Sequence, residues 1–175
     1  MHRPLSVALV AMLLAAACGC QPGSFAPPPQ RSSAAGWEPG NFASFVAMDD
    51  ALADDYIVRD IAAERGVFRW AFLHPELRFR VSDSRKLKFA AEVAIPEVTF
   101  KDTGPVTITI LIEGKPLATL RCPRAEKYQI EKPVPPDWVQ AGKVVHVTFE
   151  TEPRWISPLD GAQLSFLLYS AGFIS

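Results

Sequence analysis

The chain has 175 residues, with 18 Lys and Arg against 19 Asp and Glu and a formal net charge of −1. That balance, with no Lys/Arg run, excludes the electrostatic footprint of a nucleic-acid binder. Once a leader is removed, the length is that of one domain, enough to bury a core without disulfides, a metal or a cofactor.

Met1-His2-Arg3 is a short basic start, and Leu5 to Ala17 is an apolar run ending in Ala15-Ala16-Ala17-Cys18-Gly19-Cys20. This order describes a secretory signal. The run is shorter than the roughly 20 residues that span a bilayer. Small residues before Cys18 resemble a bacterial lipobox. The resemblance implies that Cys18 is acylated and becomes the new N-terminus, with Cys20 as the other acceptor. One acyl chain holds a membrane only marginally. The diacylglyceryl group of such lipoproteins, usually with an amide-linked chain, would hold firmly. Gly19 rather than Asp after Cys18 implies the outer membrane, by similarity to Gram-negative sorting. Residues 1–17 are thus expected to be signal, 18–40 a Pro/Ser/Ala-rich tether and 41–175 the folded domain. If Cys18 carries lipid, an oxidising compartment permits a Cys20–Cys122 bond. Cys122, however, falls in phase with apolar strand residues and reads as a buried, inert thiol.

Pro22, Pro27-Pro28-Pro29, Ser32-Ser33 and Ala34-Ala35 mark the tether. Asn41 to Leu52 is predicted as the one helix, capped by Asn41 or Ser44, with Phe45, Met48 and Leu52 at helical spacing. From Tyr56 the period becomes two. Phe68, Trp70 and Phe72 alternate with Val67, Arg69 and Ala71. Leu77, Phe79 and Val81 alternate with Arg78 and Arg80. Further alternating runs cover 87–95, 106–112, 145–149 and 164–169, with shorter candidates at 56–61, 117–122 and 127–130. Breakers separate them: Glu64-Arg65-Gly66, His74-Pro75, Asp83-Ser84, Asp102-Thr103-Gly104-Pro105, Glu113-Gly114-Lys115-Pro116 and Asp160-Gly161. About nine short strands at near-regular spacing predict an all-β antiparallel sandwich.

Three stretches carry a resemblance. They are Pro75-Glu76-Leu77-Arg78-Phe79; Gly104 to Ile108 leading to Ile112-Glu113-Gly114-Lys115-Pro116-Leu117; and Pro153 to Phe166. The chain resembles jelly-roll β-sandwich modules of the galactose-binding-like and carbohydrate-binding-module kind. Tyr56-Ile57-Val58-Arg59-Asp60-Ile61, Phe68-Arg69-Trp70 and the turn from Pro158 through Asp160 to Leu164 match their pattern. Ala162 and Ser165 depart from it, where Arg and Gly are usual. The resemblance implies a jelly-roll fold and non-catalytic carbohydrate binding.

The candidate ligand residues are Arg69, Trp70, Trp155 and Asp160. Phe68-Arg69-Trp70 reads as an aromatic-cationic platform for sugars. The simpler reading is that Phe68, Trp70 and Phe72 share one face as core aromatics, with Arg69 solvated. Trp155 with Asp160 suits a polyhydroxylated ligand, or else Trp155 plugs the sandwich while Asp160 nucleates a turn. Asp49-Asp50 and Asp54-Asp55 lack a calcium-loop pattern. His74 and His146 lack metal-ligand spacing. No nucleophile elbow, phosphate loop or His-Glu-x-x-His occurs. The expectation is an outer-membrane-anchored lipoprotein that binds carbohydrate without catalysis. The alternative is a structural or assembly subunit docking on another envelope protein. A concave patch with convergent polar groups favours the first. A flat apolar patch or an unpaired strand edge favours the second.

Overall fold

The computed structural model describes residues 44–83 and 85–175. The predicted signal, Cys18, the tether, Trp37 and Asn41 lie outside the described residues. The strands are β1 (Phe45–Ala47), β2 (Ile57–Ile61), β3 (Arg69–Arg80), β4 (Lys88–Ala94), β5 (Val106–Ile112), β6 (Lys115–Cys122), β7 (Lys127–Pro133), β8 (Val144–Glu152), β9 (Trp155–Ile156), β10 (Gln163–Leu164) and β11 (Phe166–Ile174). Two short helices, α1 (Ala53–Tyr56) and α2 (Glu97–Thr103), interrupt them.

Hydrogen bonds run continuously through β6-β5-β8-β3-β11-β4-β7, with β1 added on β11 and β2 on β3. The continuity comes from β3, which serves two layers. Its Glu76–Arg80 part pairs with β8, and its Arg69–Ala71 part pairs with β11. One layer is therefore β3-β8-β5-β6 and the other β1-β11-β4-β7. Number the eight strands other than β2, β9 and β10 in chain order. One layer then runs second-seventh-fourth-fifth and the other first-eighth-third-sixth, the interleaving of a jelly roll. The sequence reading of an all-β antiparallel jelly-roll sandwich holds.

Period-two burial explains the layers. Val106, Ile108, Ile110 and Ile112 on β5, Val145, Val147 and Phe149 on β8, and Phe89, Ala91 and Val93 on β4 all point inward. Each large side chain buried there contributes roughly 1.5–3 kcal/mol. Rings close the space between the two layers. Phe89 meets Phe149 at 6.3 Å, Phe149 meets Phe166 at 5.5 Å and Phe79 meets Phe173 at 5.6 Å between centroids.

Three local expectations change. The described part of the expected helix Asn41–Leu52, residues 44–52, is not helical: Val46 and Met48, two apart, are buried, and β1 pairs with β11. The Asp50 carboxylate then accepts the Leu52 N–H at 2.8 Å, which turns the chain before α1 begins at Ala53. Helix α2 was absent from the sequence reading, yet its signals are ordinary. Pro96 precedes it, Glu97 and Lys101 match its dipole, and Gly104 ends it at φ 68° with its N–H on the Phe100 carbonyl. Finally, His74-Pro75 is not a turn but the middle of β3. Arg69, Ala71, Pro75, Leu77 and Phe79 face inward, and Trp70, Phe72, His74 and Glu76 face outward. Pro75 has no N–H to give a neighbouring strand. It sits where β3 changes from one layer to the other.

Gly172 lets β1 dock. A Cβ there would collide with the Phe45 Cα and the Ser44 carbonyl oxygen, and φ is +150°. Gly172→Ala is expected to lower stability by roughly 1–3 kcal/mol in urea unfolding, through overpacking of this contact. Unchanged stability would mean that β1 is not held on β11. Cys122 ends β6, fully buried, and burial pushes its thiol up to about 11. It should resist a thiol reagent at pH 8 in the native chain and react once the chain is unfolded.

Candidate functional site

The split in β3 opens a cleft. On one side, β8 keeps its partner to the end: Thr109 pairs with Glu150, Ile108 with Thr151 and Thr107 with Glu152. On the other side, its ladder to β3 stops at Glu76 and Thr148. The next β3 residues turn elsewhere. The His74 N–H donates to the Asp60 carboxylate at 2.9 Å, and Ala71 pairs into β11. The resulting cleft of about 990 Å³ is lined by Leu73 and His74 of β3, Thr107 and Thr109 of β5 and Glu150, Thr151 and Glu152 of β8. Pro105, Pro153 and Arg154 complete its wall.

The lining is mostly polar. Glu150 and Glu152 stand on the outward face of β8, exposed. Neither is held by an ion pair or side-chain hydrogen bond among the described residues. The Thr107 and Thr109 hydroxyls stand opposite, able to donate and accept. Among the described residues, Arg154 reaches the Gln163 side chain, at 3.5 Å. Thr151 is 3% exposed, and its hydroxyl has no hydrogen-bond partner among the described residues. Buried hydroxyls are ordinarily satisfied.

None of the four residues singled out in sequence lines this cleft. Arg69 is the clearest correction. It is neither a surface platform nor solvated: its side chain is 0% exposed. Its Nε donates to the Met48 carbonyl at 3.3 Å, and its Nη1 donates to Asp54 at 2.6 Å and to the Ala62 carbonyl at 3.4 Å. Nη2 is buried without a partner. This guanidinium ties the β1 turn and α1 to the start of β3 and is closed to a surface ligand. Trp70 lies half-buried on the outward face, opposite Leu167 of β11. Its neighbour Phe68 is exposed and packs on Tyr169 at 5.4 Å. The core reading of these aromatics thus had the strand's two faces reversed.

Trp155 is half-buried in β9, and its indole N–H donates to Asp102, just inside the end of α2, at 2.6 Å. Its carboxylate partner is not Asp160. Asp160 accepts the Ala162 N–H at 3.1 Å. A hydrogen bond from Ser157 and the Ala162 N–H hold its carboxyl below the usual range. Asp160 builds its own turn. Among the described residues, no hydrogen bond or ring contact joins Arg69, Trp70, Trp155 and Asp160. No group of His, Cys, Asp and Glu arranged for a metal occurs among them either. His146 donates or accepts at Glu76, 2.8 Å away, and Glu76 also pairs with Arg59 at 2.8 Å.

No protein-family model and no curated protein matches the chain. Among solved structures it is similar to an exo-beta-1,3-galactanase from Phanerochaete chrysosporium (9% identity, TM-score 0.43, 76% of this chain and 29% of that one). It is also similar to the CBM36-1 domain of a multidomain xylanase from the hindgut metagenome of Trinervitermes trinervoides (10%, 0.40, 73% and 94%). A third is a family 35 carbohydrate binding module from an environmental isolate (11%, 0.39, 77% and 86%). The chain spans less than a third of the galactanase. All three scores lie below 0.5, and the fold assignment rests on the strand pairing above.

Hydrogen bonds from Arg65 and then Arg69 hold the Asp54 carboxyl below the usual carboxylate range. A carboxyl that titrates lower when folded adds stability above its unfolded pKa, and that stability is lost as pH falls through the folded value. Asp54→Asn should therefore be less stable at pH 7 and lose less further stability on acidification below about pH 4 than the parent. Parallel acid titrations with equal slopes would contradict the pairing.

Proposed function

We propose that the sandwich is a non-catalytic carbohydrate-binding domain of an envelope lipoprotein. The ligand lies in the cleft between β3 and β8, in contact with His74, Thr107, Thr109, Glu150, Glu152 and Arg154. The observation that carries this is the cleft itself: concave, about 990 Å³, and walled by hydroxyl, carboxylate, imidazole and guanidinium groups. Small-ligand sites are concave with convergent polar groups. Among the described residues, no Trp lines the cleft. Arg69 and Asp160, committed to internal bonds, drop out of the proposed site.

Anchoring through acylated Cys18, in the outer membrane, belongs to the same proposal and rests on the sequence of residues 1–20. A second reading has one observation in its favour. Val98 of α2, Ile156 of β9 and Leu159 are 57%, 63% and 96% exposed, and α2 packs beside β9. Exposed apolar side chains of this kind suit docking on another envelope protein.

Calorimetric titration of the full chain in detergent with a polysaccharide panel tests the first reading. Thr107→Trp fills the cleft from an outward position and should weaken binding by at least about tenfold, near 1.4 kcal/mol. Leu159→Ser should leave it unchanged. Binding lost in Leu159→Ser and kept in Thr107→Trp would overturn the site. For the anchor, Cys18→Ala should abolish palmitate labelling in cells and release the chain from membranes. Labelling that persists in Cys18→Ala and is lost in Cys20→Ala would move the attachment site.

A further inference from the structure

The cleft's chemistry is lopsided. Its ionised carboxylates, Glu150 and Glu152, are acceptors only. They lie two residues apart on one face of β8, level with Thr109 and Thr107. Both are exposed and unpaired among the described residues. The cations near them are few. Arg154 lines one end, half-buried and in reach of Gln163. Arg121 is the register partner of Thr107 on β6, one strand beyond the lining. Thr151, between Glu150 and Glu152 on β8 and 3% exposed, turns its side chain to the inward face, in phase with Phe149, and leaves the cleft face to the two carboxylates.

A ligand that meets two free carboxylates has to donate hydrogen bonds, and it gains if it carries positive charge. Sugar hydroxyls donate. A free amine donates and is also cationic. A uronate or sulfate brings like charge against Glu150 and Glu152. We infer that the cleft is selective for amino sugars with free amines: it takes neutral glycans more weakly and rejects uronates. This rests on the carbohydrate-binding reading of the same cleft and adds the charge class of the ligand.

Exposed ion pairs are weak, so the selectivity is modest. Glucosamine oligomers should bind the full chain roughly three- to tenfold more tightly than N-acetylglucosamine oligomers of equal length, with galacturonate oligomers weakest. The advantage of the amine should shrink as salt rises from about 0.01 M to about 0.15 M, where the Debye length falls to about 8 Å. In Glu150→Gln/Glu152→Gln, the ratio of affinities for glucosamine and N-acetylglucosamine oligomers should fall to about one, whatever the change in the absolute affinities. Both positions are exposed, and unfolding curves of the variant check its fold. Equal affinity for all three oligomers, a preference for galacturonate, or an amine preference that survives the double substitution would each overturn this inference and leave the carbohydrate reading standing. Failure of all three oligomers and of the wider panel to bind would overturn both.

Discussion

Strand β3 belongs to two layers, and the rest of the molecule follows from that constraint. Arg69, Ala71, Pro75, Leu77 and Phe79 point inward, while Leu73, in phase with them, is only half-buried and lines the cleft. The partners of β3 change along its length. The first three residues pair with β11 and the last five with β8. Between them Pro75 offers no N–H, and the His74 N–H goes to Asp60. Over that stretch β8 has no neighbour on one side, and the cleft is the space left between the two strands. Arg69 fixes where β3 starts. Burying a guanidinium is costly unless its donors are met. The Met48 and Ala62 carbonyls and Asp54 meet most of them. The charge thus links three segments that share no sheet ladder at that point.

The jelly-roll order also separates two poles. The chain enters the sandwich at Phe45, beside Gly172 near the end of β11. The cleft lies at the other pole, by the end of β8 and the β9–β10 ribbon that precedes β11. Trp155 braces that pole by its bond to Asp102. The outward face of β4 and β7 is committed otherwise. Lys88 pairs with Glu131 at 2.6 Å and Lys127 with Glu92 at 2.7 Å, charges that blunt the β7 edge against further strand pairing.

The layers were legible in the sequence because one-sided burial writes itself as period two. The runs at 106–112, 87–95 and 145–149 fall on β5, β4 and β8 with inward residues as expected. Helical spacing misled at Phe45, Met48 and Leu52, because the same short segment also offers Val46 and Met48 two apart, and those are the two that are buried, while Phe45 and Leu52 stay exposed. Cooperative pairing with β11 decided the matter. For β3, reading a breaker into His74-Pro75 cut one strand in two and let the aromatics of the first half claim the inside. Extending the phase of Leu77 and Phe79 back through Pro75 would have put Arg69 and Ala71 inward. The cleft itself was not legible. It is made by two strands parting, and alternation along one strand carries no trace of when its neighbour leaves. Glu150 and Glu152 looked like the polar half of an ordinary strand.

Amide hydrogen exchange of the full chain, with and without a glucosamine oligosaccharide, tests the location of binding most directly. Slowed exchange at residues 149–152 of β8 and at Leu73 and His74 of β3, with 156–164 unaffected, is the predicted result. Protection confined to 156–164, with the cleft strands unchanged, would contradict it and put the working surface of this domain on its apolar loop.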